Sequence, residues 1–394
     1  MKLLYTLTAY PPAIGGAQLH QHLLAQQFQS QHDVQVVSFW NQNRTDWLLG
    51  TTLRAHQRPH NYVIDQVPVH RMGFSPREKL QMLPWLPLYY PLMSKALPPV
   101  AQIIVNQLKP FVQEADLIHN VRIGREGLTY ASWQTARQHD IPFVLTPVHH
   151  PRWVGWRYRA YNELYRQADA VITLTPSEKQ TLMSLGVREE RIHVTGHAPI
   201  LNTEANGDEF RQKYGVKEPI VLFLGQFYGY KGYQQVLEAT SLVWQQQPDT
   251  HFFFIGPPVE QSEQVFVEYR DPRIYRLGAV SAAEKTDALA ACDLLCVPSM
   301  QESFGGVYTE AWSLGKPVIG GRIPAIADVV TEGQDGFLVD QQPKEIADRI
   351  LYLLTHSTEA TAMGQAGKAK VTANFTWPKL AQKTLSVYQS VLAG

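Results

Sequence analysis

Short apolar runs alternate with longer amphipathic stretches along nearly the whole chain, and the alternation stops once and then restarts. Runs of this length, bounded by turn residues, suit strands covered on both faces. The stretches between them carry apolar residues at helical spacing. Strand followed by helix, repeated, predicts an α/β fold with parallel, doubly wound sheets. In the first half the strand candidates are Leu3–Ala9, Asp33–Phe39, Asp116–His119, Phe143–Thr146 and Ala170–Thr173. Helices are expected over Ala17–Gln29 and from Pro176 to about Leu185. The pattern breaks at His197–Glu218, where Pro, Asn and Gly cluster without a long apolar period, and this reads as a linker. It resumes with strand candidates at Ile220–Leu224, Thr250–Ile255, Leu294–Pro298, Pro317–Gly320 and Phe337–Val339. The intervening helices are Gly232–Gln245, Ala282–Ala291 and Val307–Leu314. The chain therefore reads as two similar domains, 1–196 and 197–376, followed by an amphipathic helix from Trp377 to Leu392. Its 394 residues agree, at roughly 150 per domain.

Charge excludes one class of partner. With 35 basic and 35 acidic side chains, the chain lacks the basic field that nucleic-acid binding requires. Two cysteines, Cys292 and Cys296, make neither a disulfide framework nor a zinc site. Their apolar context predicts buried packing in a reducing compartment. The opening MKLLYTLTAYPPAIGG reads as a first buried strand rather than a signal peptide, because Thr6, Thr8 and Tyr10 interrupt it. The expected location is cytoplasmic, or peripheral at the inner face of a membrane. Met72–Leu108 is unlike the rest. It holds Met82, Leu83, Trp85, Leu86, Leu88 and Leu92 among Pro76, Pro84, Pro87, Pro91, Pro98 and Pro99. So many prolines forbid one continuous helix. The stretch reads either as an irregular insertion on the first domain or as an apolar lip for a lipid-linked acceptor, giving a peripheral membrane contact through 72–108.

Four places carry residues suited to chemistry. Pro11–Gly16 joins the first strand to the first helix, where paired glycines and a helix N-terminus suit an anion. Phe223–Gly232 holds the equivalent place in the second half and puts Lys231, a compact positive charge, just before a helix. Pro298–Ala311 contains Glu302, then Gly305-Gly306 opening a helix, then Glu310. Two carboxylates beside a helix N-terminus suit a ligand with both hydroxyls and an anionic group. His119 follows one strand and His149-His150 another, where histidines orient hydroxyls or shuttle protons. The adjacent RWVGWRYRAY run, including Arg152 and Trp153, offers aromatic faces for sugars and arginines for acids, or an ordinary amphipathic face.

Together these residues resemble the retaining glycosyltransferases of the GT-B fold, specifically glycosyltransferase family 4, the glycosyl transferases group 1. The likeness covers nearly the whole chain. ESFGGVYTE at Glu302–Glu310 is similar to the family's pair of glutamates. LGKPVIGGRIPAIADVV (314–330), DAVITLTPSEKQ (169–180) and NFTWPKLAQ (374–382) also stand in their family places. The resemblance implies two Rossmann-like domains facing across a cleft. The first would bind the acceptor, with His150, Arg152 and Trp153 as candidates, and the C-terminal helix 377–394 would cross back onto it. The second would bind a nucleotide diphosphate sugar. Glu310 would hold the ribose; Glu302, Phe304, Gly305, Gly306 and Val307 the sugar and phosphate; Lys231 the diphosphate; and Gly15 and Gly16 would approach the diphosphate. No metal or other cofactor is implied. The family's usual Arg is Gln226 here, its Glu is Gln18, and its second histidine is Val121, so His149 and His150 are the candidates to replace that ring.

Three functions fit these residues. The first is hexosyl transfer with retention from a UDP-hexose, or secondarily GDP-mannose, to a saccharide or lipid-linked acceptor in polysaccharide or oligosaccharide assembly. Lys231, Glu302, His119 and His149 would be the catalytic set, with Ala279–Ser281 near the base. The second is a sugar-nucleotide epimerase of the same fold. The third is a non-catalytic nucleotide-sugar-binding subunit.

Overall fold

A computed structural model describes the chain apart from residues 14, 43–45, 47, 122–126, 151–154 and 260, and the side chain of Arg157. The chain divides into two compact units, Met1–Gly196 with Trp377–Gly394, and His197–Thr376.

The first unit is built on strands β1 (Lys2–Ala9), β2 (Asp33–Trp40), β3 (His60–Ile64), β4 (Val67–Arg71), β5 (Leu117–Val121), β6 (Phe143–Thr146), β7 (Ala170–Thr173) and β8 (Ile192–Val194). From β1 the sheet extends through β2 and β4 on one side and through β5, β6, β7 and β8 on the other. These pairings are parallel, and β3 closes one edge antiparallel to β4. Alternate residues of β1 enter opposite cores. Leu3, Tyr5 and Leu7 pack with Leu24 and Phe28 of the helix Gly16–Phe28 and with Tyr388 of the C-terminal helix Trp377–Ala393. Leu4 faces the other core, with Leu97, Ile104 and Leu108.

The second unit holds β9 (Ile220–Leu224), β10 (His251–Ile255), β11 (Ile274–Gly278), β12 (Leu294–Val297), β13 (Val318–Gly321) and β14 (Gly336–Val339). All its pairings are parallel, in the order β11-β10-β9-β12-β13-β14. β9 and β12 are buried along their whole length because helices cover both faces. Cys292 and Cys296 are free and buried here, and burial pushes the Cys292 thiol up to about 12. In both units the winding direction reverses once, between β1 and β5 and between β9 and β12. A sheet of this kind opens a crevice at the carboxyl ends of such a pair.

Three departures from the sequence reading have physical causes. Met93–Val112 is a 20-residue helix containing Pro98, Pro99 and Pro110. Each interior proline costs about 3 kcal/mol, but burying each large apolar side chain returns roughly 1.5–3 kcal/mol. This helix buries Met93, Leu97, Val100, Ile103, Ile104, Val105, Leu108 and Val112. Within the expected linker, Gly207–Tyr214 is a helix. Asn206 caps it by accepting from Glu209 N at 3.1 Å, and Gly215 ends it in the left-handed region.

The third departure concerns His119. It lies within β5 rather than after it, and it is buried. Its Nδ1 meets the Tyr388 hydroxyl at 2.6 Å and its Nε2 the Thr146 hydroxyl at 2.8 Å. Tyr388 also meets Tyr5 at 3.1 Å. Burial pulls the His119 pKa down to about 3, so the ring is neutral. His119 thus ties the C-terminal helix to the first sheet, and its place among catalytic candidates is withdrawn. Replacing Tyr388 by Phe strands His119 Nδ1 in the core. We expect a loss of about 1–3 kcal/mol, read as a lower urea midpoint for the first unit with wild-type secondary structure.

Candidate active site

The reversal between β9 and β12 places two loops side by side. After β9, Gly225–Tyr228 and a turn at Gly229–Lys231 lead to the helix Tyr233–Trp244. After β12, Pro298–Gly305 leads to the helix Gly306–Ser313. Hydrogen bonds to backbone carbonyls staple the loops together. Met300 N donates to the Tyr230 carbonyl at 2.8 Å, and Gln341 Nε2 donates to the Tyr230 and Pro298 carbonyls at 2.9 and 2.7 Å. Lys231 Nζ and Glu302 Oε1 consequently form a direct ion pair. Their side chains are 18% and 13% exposed, sheltered but open to a ligand.

Gly305 caps the helix Gly306–Ser313 at φ 83°, and a Cβ there would lie 2.4 Å from the Tyr308 ring. Tyr308 is held from behind, its hydroxyl donating to the Val297 carbonyl at 2.7 Å. No side chain caps this helix and its first turn holds no acid, so no carboxylate in that turn offsets its N-terminal dipole. Phe304 is buried against the His197 ring, with centroids 5.7 Å apart, and edge-on to Phe375. Burial lowers the His197 pKa to about 4, which keeps that ring neutral beside the helix terminus.

Glu310, one turn into the same helix, is buried and pairs with Lys285 on the helix Ala282–Ala291, Nζ to Oε1 at 2.8 Å. Burial pushes the Glu310 pKa up and Lys285 pulls against it. Gln226 is exposed on the loop after β9. The structure therefore gathers Lys231, Glu302, Phe304, Gly305, Gly306, Val307 and Glu310 on adjoining loops and one helix. His197 and Lys285 join them without a sequence signal of their own: one follows an ordinary Gly, the other sits on an unremarkable helix.

In the first unit, Gly15 and Gly16 open the helix Gly16–Phe28, which also lacks a side-chain cap and a first-turn acid. His149 is buried, its ring edge-on to Tyr165 at 5.9 Å. Its backbone N–H donates to Glu178 Oε1 at 2.7 Å, and Leu174 N donates to Glu178 Oε2 at 2.8 Å. Burial raises the Glu178 pKa to about 7. Val148 just before takes φ 45°, costly for a β-branched residue, and the Glu178 bond holds it there. His150 is half-buried beside it. Arg152 and Trp153 lie outside the described residues.

Comparison with known proteins agrees with this architecture. Residues 15–197 match the family model of the glycosyl transferase 4-like domain, and residues 206–370 that of the glycosyl transferases group 1. The D-inositol 3-phosphate glycosyltransferase of Corynebacterium diphtheriae is 28% identical over 253 residues, 57% of this chain and 57% of that protein. The mannosylfructose-phosphate synthase of Agrobacterium fabrum is 24% identical over 255 residues, 60% of this chain and 56% of that protein. The chain thus spans little more than half the length of these curated relatives. Among solved structures, HepE of Anabaena, in complex with UDP and glucose, superposes with a TM-score of 0.76 at 20% identity. That match covers 99% of this chain and 100% of HepE. The fold is that of the GT-B glycosyltransferases. Residues 15–197 thus form a glycosyl transferase 4-like domain and residues 206–370 a glycosyl transferases group 1 domain.

Proposed function

We propose that the protein transfers a hexose from a nucleoside diphosphate sugar to a hydroxyl of a saccharide or lipid-linked saccharide, with retention and without a metal. UDP-hexose is the first choice of donor and GDP-mannose the second. The observation that carries this reading is the Lys231–Glu302 pair beside the uncapped helix Gly306–Ser313 at the β9/β12 crevice. Lys231 and the helix N–H groups meet the diphosphate. Glu302 accepts from sugar hydroxyls, and Glu310 accepts from the ribose. As the bond from the anomeric carbon to the diphosphate oxygen breaks, negative charge grows on the diphosphate, where that lysine and those N–H dipoles stabilise it. The acceptor hydroxyl attacks the same face, and its proton passes to the departing phosphate oxygen. No protein nucleophile takes part.

The acceptor belongs to the first unit in this reading, with His149 and His150 as its orienting candidates. A lipid-linked acceptor has an apolar surface to meet there: Leu80, Leu83, Leu88 and Leu92 are exposed, Leu80 by 67%. Among the described residues no helix is long and apolar enough to cross a membrane.

Thermal melts against a panel of nucleotide sugars test the donor. A true donor at 100 times its dissociation constant adds about 2.7 kcal/mol. Product anomers read by NMR then test retention. An isomerised donor in the absence of acceptor overturns transfer in favour of epimerisation, and binding without turnover across a broad acceptor panel overturns it in favour of a binding subunit.

A further inference from the structure

Lys285 ties Glu310 to the backbone of Ile200. Lys285 Nζ donates to Glu310 Oε1 at 2.8 Å and to the Ile200 carbonyl at 2.5 Å. The Ile200 backbone also favours the ionised Glu310 carboxyl, holding its pKa down against burial. The Lys285 ammonium thus bridges the carboxylate and the Ile200 carbonyl. The segment is pinned again two residues on, where Asn202 N donates to Thr286 Oγ1 at 3.0 Å, on the helix that carries Lys285. Glu310 is 7% exposed and Lys285 20%, so the pair is largely withdrawn from water.

The count of acceptor sites decides what such a carboxylate can still do. An ionised carboxylate has about four lone-pair sites, and Lys285 occupies one. The others suit two neighbouring hydroxyls. Among the described residues Lys285 is the cation paired with Glu310: burial works against the carboxylate's charge and Lys285 supports it. Without that lysine, a buried carboxyl takes up a proton and presents an O–H where the hydroxyls need an acceptor.

We propose that Lys285 is a positioning residue that sets the preference for ribonucleotide over 2′-deoxyribonucleotide donors, by fixing Glu310 as an acceptor for the ribose hydroxyls. The proposal rests on the reading of Glu310 as the ribose acceptor. Lys285 touches no substrate in it and acts through Glu310 alone. A purely structural Lys285, stapling Ile200 and nothing more, predicts lower stability with ribose discrimination intact.

The experiment uses the full chain with whichever of UDP-glucose and GDP-mannose supports transfer, and the 2′-deoxy analogue of that donor. Wild type, Lys285→Met, Lys285→Arg and Glu310→Gln are compared by kcat and KM, with melting temperatures recorded. We expect wild type to favour the ribose donor in kcat/KM by about 10-fold or more, because the site leaves a buried acceptor unpaired when the hydroxyl is missing. Lys285→Met brings that ratio to within about threefold by raising KM for the ribose donor, with little change in kcat, as loss of ground-state and transition-state binding alike requires. Lys285→Arg restores most of it, since the charge returns. Should Lys285→Met fail to fold, Lys285→Gln, which keeps a donor for Ile200 and removes the charge, carries the same comparison. If Glu310→Gln collapses the ratio while Lys285→Met or Lys285→Gln leaves it at the wild-type value, the role given to Lys285 is wrong and that of Glu310 stands. If wild type shows no ratio, or Glu310→Gln leaves it unchanged, the ribose reading of Glu310 fails and takes this proposal with it.

Discussion

Lys231→Met lowers the rate of sugar transfer by about 10²–10³-fold, the usual effect of removing one preorganised group from developing negative charge. The direction follows from where the lysine stands. It ends the turn Gly229–Lys231, between two loops that share hydrogen bonds at the Tyr230 carbonyl, so its charge is held in place before any donor arrives. Gln226 on the same loop brings no charge. The loss should fall in kcat as well as in kcat/KM, because the diphosphate carries more charge in the transition state than in the bound donor. Glu302, left without its partner, is partly exposed and can be solvated, so the melting temperature should stay close to that of wild type. The double variant Lys231→Met/Glu302→Gln controls for the stranded carboxylate and should be no faster. Transfer by Lys231→Met within threefold of wild type would remove the lysine from the proposed mechanism.

Gly364→Ala should destabilise the second unit by about 2–3 kcal/mol, even though alanine is the better helix former by roughly 1 kcal/mol. Gly364 lies inside the helix Ser357–Asn374. A Cβ there would stand 1.9 Å from the Gly315 carbonyl oxygen and 2.6 Å from its carbon. Those are backbone atoms and cannot rotate aside. Gly315 is fixed in turn by the end of the helix Gly306–Ser313, where its N–H donates to the Trp312 carbonyl at 2.8 Å and Lys316 N donates to the Ala311 carbonyl at 3.0 Å. The overlap is relieved only by parting two helices packed around the buried Trp312. Urea unfolding followed by circular dichroism reads the loss. An alanine variant as stable as wild type would show that the helices do not approach so closely.

Central strands were the legible part of the fold, and edges were not. β9 and β12 are continuous apolar runs because helices cover both faces. β3 and β11 are edge strands with mostly exposed or half-buried residues, so HNYVI and IYRLG carry no comparable run. The β3–β4 turn also lacks the expected glycine: Asp65 and Gln66 supply the positive φ, at 47° and 68°. His119 was misplaced for the opposite reason. β5 continues through Asn120, a polar residue that resembles a strand end yet is buried, its side-chain amide donating to the Thr6 carbonyl at 2.9 Å. In the candidate site, Glu302 and Glu310 stand out because eight positions separate them in one segment. Lys285 lies 25 residues from Glu310 and meets it only because the two helices pack together.

The two crossings of the chain between its units bear on synthesis. The second unit is one uninterrupted stretch, His197–Thr376, whereas the first is completed by Trp377–Gly394. A ribosome therefore delivers everything the second unit needs before it delivers the helix that closes the first. Until that helix emerges, Tyr5 and His119 lack the Tyr388 hydroxyl, and the apolar face of Gly16–Phe28 lacks its cover. At about 5–20 residues per second, the nascent first unit spends many seconds with one face of its sheet only partly covered, while its younger neighbour is already free to fold. Order of emergence and order of completion are thus reversed in this chain.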